Sequence, residues 1–326
     1  MAKITRLFKS FFRLLLPVVI LLILAFAAAA VWLVHKTAHP PQNSYLVTPE
    51  KYGRFSTRGA QVTEETWTNG DGTSARGWLL RGAENAPAVI MLHRYGADRS
   101  YVLDLGIKIN EATNFTILMP EQRGHGENAS INFTSFGGCE ADDALSAIKF
   151  VRSLKTDNQT TLVGQNIGFY GVEMGAIAAL STAAKDESIK ALVLDSVPLN
   201  SDELLASAIS QHFPFASLLT SKIAAKGTYL YFYDGCYKRD SMCDLIKSIE
   251  HRQVLLLAGS DAPDFQASTA KLSKCFPGET KVEAKTDLNP SGYGITNASL
   301  EQSEAYDRKV IDFFKETLLN KDVPQQ

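Results

Sequence analysis

Two patterns of apolar positions divide the chain. From Leu14 to Val34 run 21 consecutive uncharged, mostly apolar residues with no polar stripe. As a helix rising 1.5 Å per residue this segment spans about 31 Å, the thickness of a bilayer's hydrocarbon core. A buried core helix would show a polar face, so the pattern predicts a transmembrane helix over residues 14–34. Lys3, Arg6, Lys9 and Arg13 precede it without an acidic residue. That bias predicts a cytoplasmic tail over residues 1–13 and an extracytoplasmic globular part, periplasmic or lumenal/extracellular, with Trp32 at the far interface. A cleaved signal peptide is the competing reading, because Ala25-Phe26-Ala27 offers a small-residue cleavage site. Secretory apolar segments run only about 7–15 residues, and the greater length here favours an uncleaved signal anchor. His39-Pro40-Pro41-Gln42-Asn43-Ser44 is polar, proline-containing and aperiodic, so residues 35–60 are expected to be a linker.

Beyond residue 61 the pattern changes to short continuous apolar runs: Gly77–Leu80, Ala88–Leu92, Phe115–Met119, Ile167–Tyr170, Ala191–Leu194 and Val254–Leu257. Between them, Ala141–Leu154, Ala176–Lys185 and Ser303–Leu319 read as helices. The last shows an apolar side of Ala305, Val310, Ile311, Phe313, Phe314 and Leu318. Continuous apolar strands separated by helices imply an α/β domain over residues 61–320, with a mostly parallel sheet covered by helices on both faces. Residues 198–248 exceed an ordinary crossover and are expected to form a small cap insertion.

Composition removes several classes of function. Charged residues make up 21% of the chain and apolar ones 45%, which is ordinary globular usage. The first 36 residues carry +5, leaving −7 of the formal −2 for the remainder, so no nucleic-acid partner is expected. The four cysteines lack zinc spacing, and neither a metal nor a cofactor is expected. Cys236 and Cys243, inside the expected cap, suit a disulfide or two small buried residues; Cys139 and Cys275 are a further possible pair, and sequence does not choose the connectivity. Asn114, Asn128, Asn132, Asn158 and Asn297 begin glycosylation sequons, where chance gives about two, and glycosylation stays open.

The chemistry rests on three turns in order. His93-Arg94-Tyr95-Gly96 follows one apolar run, Arg123-Gly124-His125-Gly126 the next, and Gly171-Val172-Glu173-Met174-Gly175 joins a third to an alanine-rich helix. Together they resemble the α/β-hydrolase superfamily, in particular membrane-anchored or secreted hydrolases of the serine-aminopeptidase and monoacylglycerol-lipase-like group. The resemblance covers roughly residues 62–318. It implies that Gly171 to Gly175 is the nucleophile elbow, that oxyanion donors are the Tyr95 and Met174 N–H groups, and that an acid and a histidine follow on later loops.

Against that pattern the machinery is degenerate. Glu173 stands where the family has serine, and a carboxylate forms no acyl-enzyme of that kind. Gly292-Tyr293-Gly294-Ile295 resembles the histidine loop with Ile295 in the histidine's place, and residues 252–326 contain no histidine. The acid is expected at Asp261, with Asp264 the other candidate. Arg94 replaces the first glycine of the oxyanion loop, and a guanidinium there is expected to reach Glu173 and plug the site as an ion pair. His93 and His125 are expected to brace loops. These residues imply a membrane-anchored pseudoenzyme acting as a binding or regulatory module, its bilayer contact through residues 14–34. A ligand over Glu173, Arg94 and His93, near Ile295 and the cap aromatics Phe213 and Phe215, is an expected extension. The competing function is a working hydrolase of ester, amide or lipid substrates built on Glu173, a loop histidine and Asp261.

Overall fold

The computed structural model describes residues 2–42, 45, 47–52, 59–127, 129–212, 218–233 and 235–319. Phe213, Phe215 and the sequon residue Asn128 lie outside them. Eight strands form one sheet: β1 Val62–Thr68, β2 Ser74–Leu80, β3 Ala86–Leu92, β4 Thr116–Pro120, β5 Val163–Val172, β6 Ile189–Asp195, β7 Gln253–Gly259 and β8 Lys281–Leu288. Their order is β1-β2-β4-β3-β5-β6-β7-β8. β1 and β2 form a hairpin, β2 runs antiparallel to β4, and every other neighbouring pair is parallel.

Five of the six apolar runs continue in the sheet's parallel part and the sixth is β2. Two strands carry no such run. β1 and β8 lie at the sheet edges and mix exposed with partly buried residues, and exposed positions accept polar residues and dilute the apolar pattern. The sheet separates two cores. Alternate residues of β5 show the division: Ile167 and Phe169 face one core, with helices Cys139–Ser153 and Met174–Ala183. Tyr170 and Val172 face the other, with helices Leu103–Thr113 and Leu300–Leu319. In the last helix Tyr306, Val310, Phe314 and Leu318 recur every fourth residue and are buried. Burying each such apolar side chain contributes roughly 1.5–3 kcal/mol. Ala305, expected on that side, falls outside the stripe and is exposed.

Residues between β6 and β7 supply helices Ser201–His212 and Leu218–Tyr231, which pack against each other and against the amino-terminal helix. Cys236 and Cys243 do not bridge each other. The disulfides are Cys139–Cys236 and Cys243–Cys275, with Cα separations of 4.9 and 5.2 Å. Cys236 passes directly against Gly138 at the start of helix Cys139–Ser153, and Cys275 follows helix Pro263–Leu272. Each bridge therefore ties the insertion to the core rather than to itself.

The amino-terminal helix runs from Ala2 to Ala38, past the expected end at Val34. Its segment Leu15–Ala38 is long and apolar enough to cross a membrane. Leu33, Val34, Thr37 and Ala38 are buried, although the first two were expected to end a span and the others to lie in a linker. Spacing of three and four residues puts them on one helix face, which docks against helix Leu218–Tyr231, Val34 lying beside Gly227.

Candidate active site

The strand order reverses between β3 and β5, so the loops leaving their carboxyl ends diverge and open a crevice at the position where α/β sheets bind ligands. β3 delivers His93 to Gly96, and β5 delivers Glu173. The turn at Glu173 has φ +52° and ψ −105°, a conformation costly for any residue with a side chain. It persists because its neighbours over-determine it. The Glu173 N–H donates to the Asp195 carbonyl at 2.9 Å, and the Glu173 carbonyl accepts from Ala176 and Ile177. A Cβ on Gly171 would lie 2.5 Å from the Gly175 carbonyl oxygen, and one on Gly175 would lie 2.3 Å from that of Leu92. Both glycines are thus demanded by backbone contact, and the elbow keeps its shape with glutamate in it.

The Glu173 side chain turns toward the N–H groups expected to be the oxyanion donors. Oε2 accepts the Tyr95 N–H at 2.8 Å, and the Met174 N–H also favours the carboxylate. Oε1 has no hydrogen-bond partner. Glu173 is 1% exposed. Burial pushes its pKa up to about 7, against the Arg94 charge and the two N–H groups, which hold it down.

Arg94 does not form the expected plug. No ion pair within 4.0 Å joins it to Glu173 among the described residues. Its guanidinium lies over the rings of Tyr293 and Tyr101, 5.0 and 5.4 Å from their centroids, and acts on Glu173 only through space. Cation–π contact with the aromatic faces of two neighbouring loops stands where the ion pair was expected. Tyr293 stood in the quoted histidine-loop motif without a role, and Tyr101 was missed, since an isolated aromatic residue carries no spacing signal.

The loop expected to hold histidine forms a single turn, Gly292–Asn297, with Ile295 partly buried in the core on the Tyr170 side. Asp261 faces this loop. Its Oδ1 and Oδ2 accept from the Ser291 N–H and hydroxyl, each at 3.0 Å. Asp264 is exposed in the first turn of the next helix, so of the two candidates only Asp261 faces this loop. A second carboxylate, Asp195, was missed: it accepts from the Gly292 N–H at 2.8 Å and the Tyr306 hydroxyl at 3.0 Å, wholly buried. Its position at the end of an apolar strand was an available signal. Both acids accept backbone N–H groups of this loop, Asp261 from Ser291 and Asp195 from Gly292.

The two buried histidines are committed elsewhere. His93 Nδ1 lies 2.9 Å from the Arg94 carbonyl, while Nε2 lies 3.2 Å from the Gln122 N–H and 3.1 Å from Glu121. His125 Nε2 accepts from the Gly96 N–H at 3.0 Å, and its Nδ1–H donates to the Arg123 carbonyl. Burial first, and then the His93 charge, push the His125 pKa down to about 3, so at neutral pH it is an uncharged brace. All four ring nitrogens have partners, and none of those partners is Glu173.

The membrane-type helix reaches the same loop. The Tyr95 hydroxyl donates to the Thr37 carbonyl at 2.7 Å, and the Thr134 N–H donates to that of Ala38 at 2.8 Å. These bonds satisfy two of the carbonyls that every helix end leaves unpaired. Tyr95 therefore holds the helix end with its hydroxyl and Glu173 with its N–H. Among the described residues, Glu250, His251 and Glu279 form a cluster with metal-ligand spacing, but all three are exposed and none belongs to the elbow.

No family model matches the chain. The thiohydrolase aneE of Aspergillus aculeatus is 25% identical over 130 residues, covering 40% of this chain and 39% of that protein. The chain thus spans about two-fifths of the length of the curated relatives it matches. An esterase of Pyrococcus furiosus superposes with a TM-score of 0.61 at 19% identity, covering 87% of this chain and 99% of the esterase. The α/β hydrolase GrgF of a Penicillium species superposes with a TM-score of 0.56 at 15% identity, covering 80% and 100%. With the strand order above, these likenesses give the chain the α/β-hydrolase fold.

Proposed function

We propose that this α/β-hydrolase-fold chain is a membrane-anchored pseudoenzyme that serves as a binding or regulatory module. The observation that carries the reading is the Glu173 carboxylate seated against the Tyr95 N–H, because a group held there occupies the position an oxyanion would need. The absence of a histidine facing the elbow among the described residues supports it, as does the hydrogen bonding that engages both His93 and His125. The anchor is the part of the apolar segment Leu15–Ala38 that precedes the docked residue Leu33, with the folded part extracytoplasmic. The basic residues before the segment favour that orientation, and the two disulfides suit an oxidising compartment.

A working hydrolase is the second reading. It draws on the thiohydrolase and esterase names of the relatives and on Glu173 itself, since a buried carboxyl with a pKa near 7 is poised as a general base for water. Substrates would then be esters, thioesters, amides or lipids. Short- and long-chain p-nitrophenyl esters, acyl thioesters and aminoacyl amides, incubated with the full chain in nanodiscs beside a fluorophosphonate probe, separate the two. The pseudoenzyme reading expects background rates, unchanged in Glu173→Ala, and no labelling. Turnover that Glu173→Ala abolishes would establish the hydrolase instead.

A further inference from the structure

His35 and His39 stand four residues apart where the amino-terminal helix meets the folded domain, in a stretch whose composition reads as linker rather than helix. In the structure the helix continues to Ala38, and the His39 N–H still donates to the His35 carbonyl at 3.0 Å. A spacing of four puts the two side chains on one helix face. Their rings lie one over the other, with centroids 3.9 Å apart and planes 34° from parallel. His35 is exposed, and His39 is half-buried with its ring centroid 6.5 Å from that of Phe133. Lys36, the neighbouring charge, is one position on and so does not share that face.

Hydrogen bonding selects the nitrogens that are left to bind. His39 Nδ1 lies 2.8 Å from the His35 carbonyl, which only accepts, so Nδ1 carries the proton and Nε2 the lone pair. Imidazoles that hold metal ions commonly donate their other ring N–H to a carbonyl in this way, which fixes the ring and raises the basicity of the ligating nitrogen. Among the described residues, neither His39 Nε2 nor either His35 ring nitrogen has a hydrogen-bond partner. Two metal–nitrogen bonds of about 2.0–2.1 Å at a tetrahedral angle hold their nitrogens about 3.3 Å apart. The rings already stand near that separation, so the pair closes on one ion with little movement of either side chain. The helix end contributes as well, because the partial negative charge on its last carbonyls favours a cation there.

We propose that His35 and His39 together bind one divalent transition-metal cation of the Zn2+ type, through one imidazole nitrogen each, with water completing the coordination. Imidazole ligands suit Zn2+, Cu2+ and Ni2+, whereas Mg2+ and Ca2+ prefer oxygen. Burial of Thr37 and Ala38 against the domain keeps this turn outside a bilayer and open to ions. A bound ion clamps the turn whose Thr37 and Ala38 carbonyls hold the Tyr95 hydroxyl and the Thr134 N–H. The site stands apart from the elbow and does not depend on whether Glu173 is catalytic.

Titration calorimetry of the full, tag-free chain in nanodiscs with ZnCl2 tests it, in a His251→Gln background that removes the histidine of the exposed cluster with Glu250 and Glu279. Zn2+ should bind saturably below about 1 mM, and Mg2+ should not bind. Because both imidazoles close on one ion, His35→Gln and His39→Gln should each weaken binding about a hundredfold, and the double variant little further. His35 is exposed and its ring holds no hydrogen bond, so His35→Gln still reads the site if His39→Gln fails to fold. Hydrogen exchange over residues 35–39 should slow on adding Zn2+ to the parent chain and stay unchanged in His35→Gln. Absence of binding below about 1 mM, binding that His35→Gln weakens less than about tenfold, or binding without slower exchange at the helix end would overturn the assignment.

Discussion

Replacing Glu173 with glutamine removes the one ionisable group at the elbow while keeping its shape and its acceptor for the Tyr95 N–H. Burial raises the folded-state pKa from 4.5 to about 7, so the folded chain holds this proton more tightly than the unfolded chain does. As pH rises through that window, unfolding releases the proton and the native state loses stability relative to the glutamine variant. A shift of this size corresponds to on the order of 3 kcal/mol, absent near pH 4.5 and complete above pH 7. With an unfolding entropy of about 2.1 cal/mol/K per residue, the melting temperature of Glu173→Gln relative to wild type should rise by roughly 4 °C across the window. His125 works the other way: its depressed pKa makes the fold lose stability as pH falls from 6.5 toward about 3. That contribution is common to both chains and cancels in the difference. Thermal unfolding of both in nanodiscs, at several pH values from about 4.5 to 8, reads it directly. A difference that stays flat with pH, or that moves against the variant as pH rises, would refute a buried carboxyl held in the oxyanion hole.

Three further outcomes follow from the same contacts. Tyr95→Phe deletes the donor to the Thr37 carbonyl and should destabilise the fold by about 1–2 kcal/mol; hydrogen exchange should quicken across Leu33–Ala38 if the helix end depends on that bond. Non-reducing peptide mapping should recover Cys139 linked to Cys236 and Cys243 linked to Cys275. Because these close loops of 97 and 32 residues, chain entropy predicts losses of about 4.7 and 3.7 kcal/mol on replacing Cys139 or Cys243 by serine. Glu173→Ser alone should remain unlabelled by fluorophosphonate, whereas Glu173→Ser with Ile295→His should label about a hundredfold faster, the contribution expected of a general base; equal labelling of the two would show that Ile295 does not occupy the base's position.

The sequence by itself determined the parts of this protein that are local. Apolar runs long enough to cross a sheet or a bilayer identify themselves by length. The elbow and the loop after β3 are legible because their glycines form short local spacings, and the replacements at Glu173 and Ile295 can be read where they stand. What the tertiary structure decided are pairings between distant segments. Edge strands β1 and β8 were hidden because half of each faces solvent. Cys236 found Cys139 rather than Cys243 because the insertion folds back over the core. Arg94 took two tyrosine rings instead of Glu173 because loops 99–102 and 292–297 converge on it. The last turn of the membrane-type helix became part of the domain through Tyr95. Apolar pattern reports how much of a residue is buried. It carries no information on which partner a polar group meets, because that depends on distances set only after strands far apart in the chain have been ordered into one sheet.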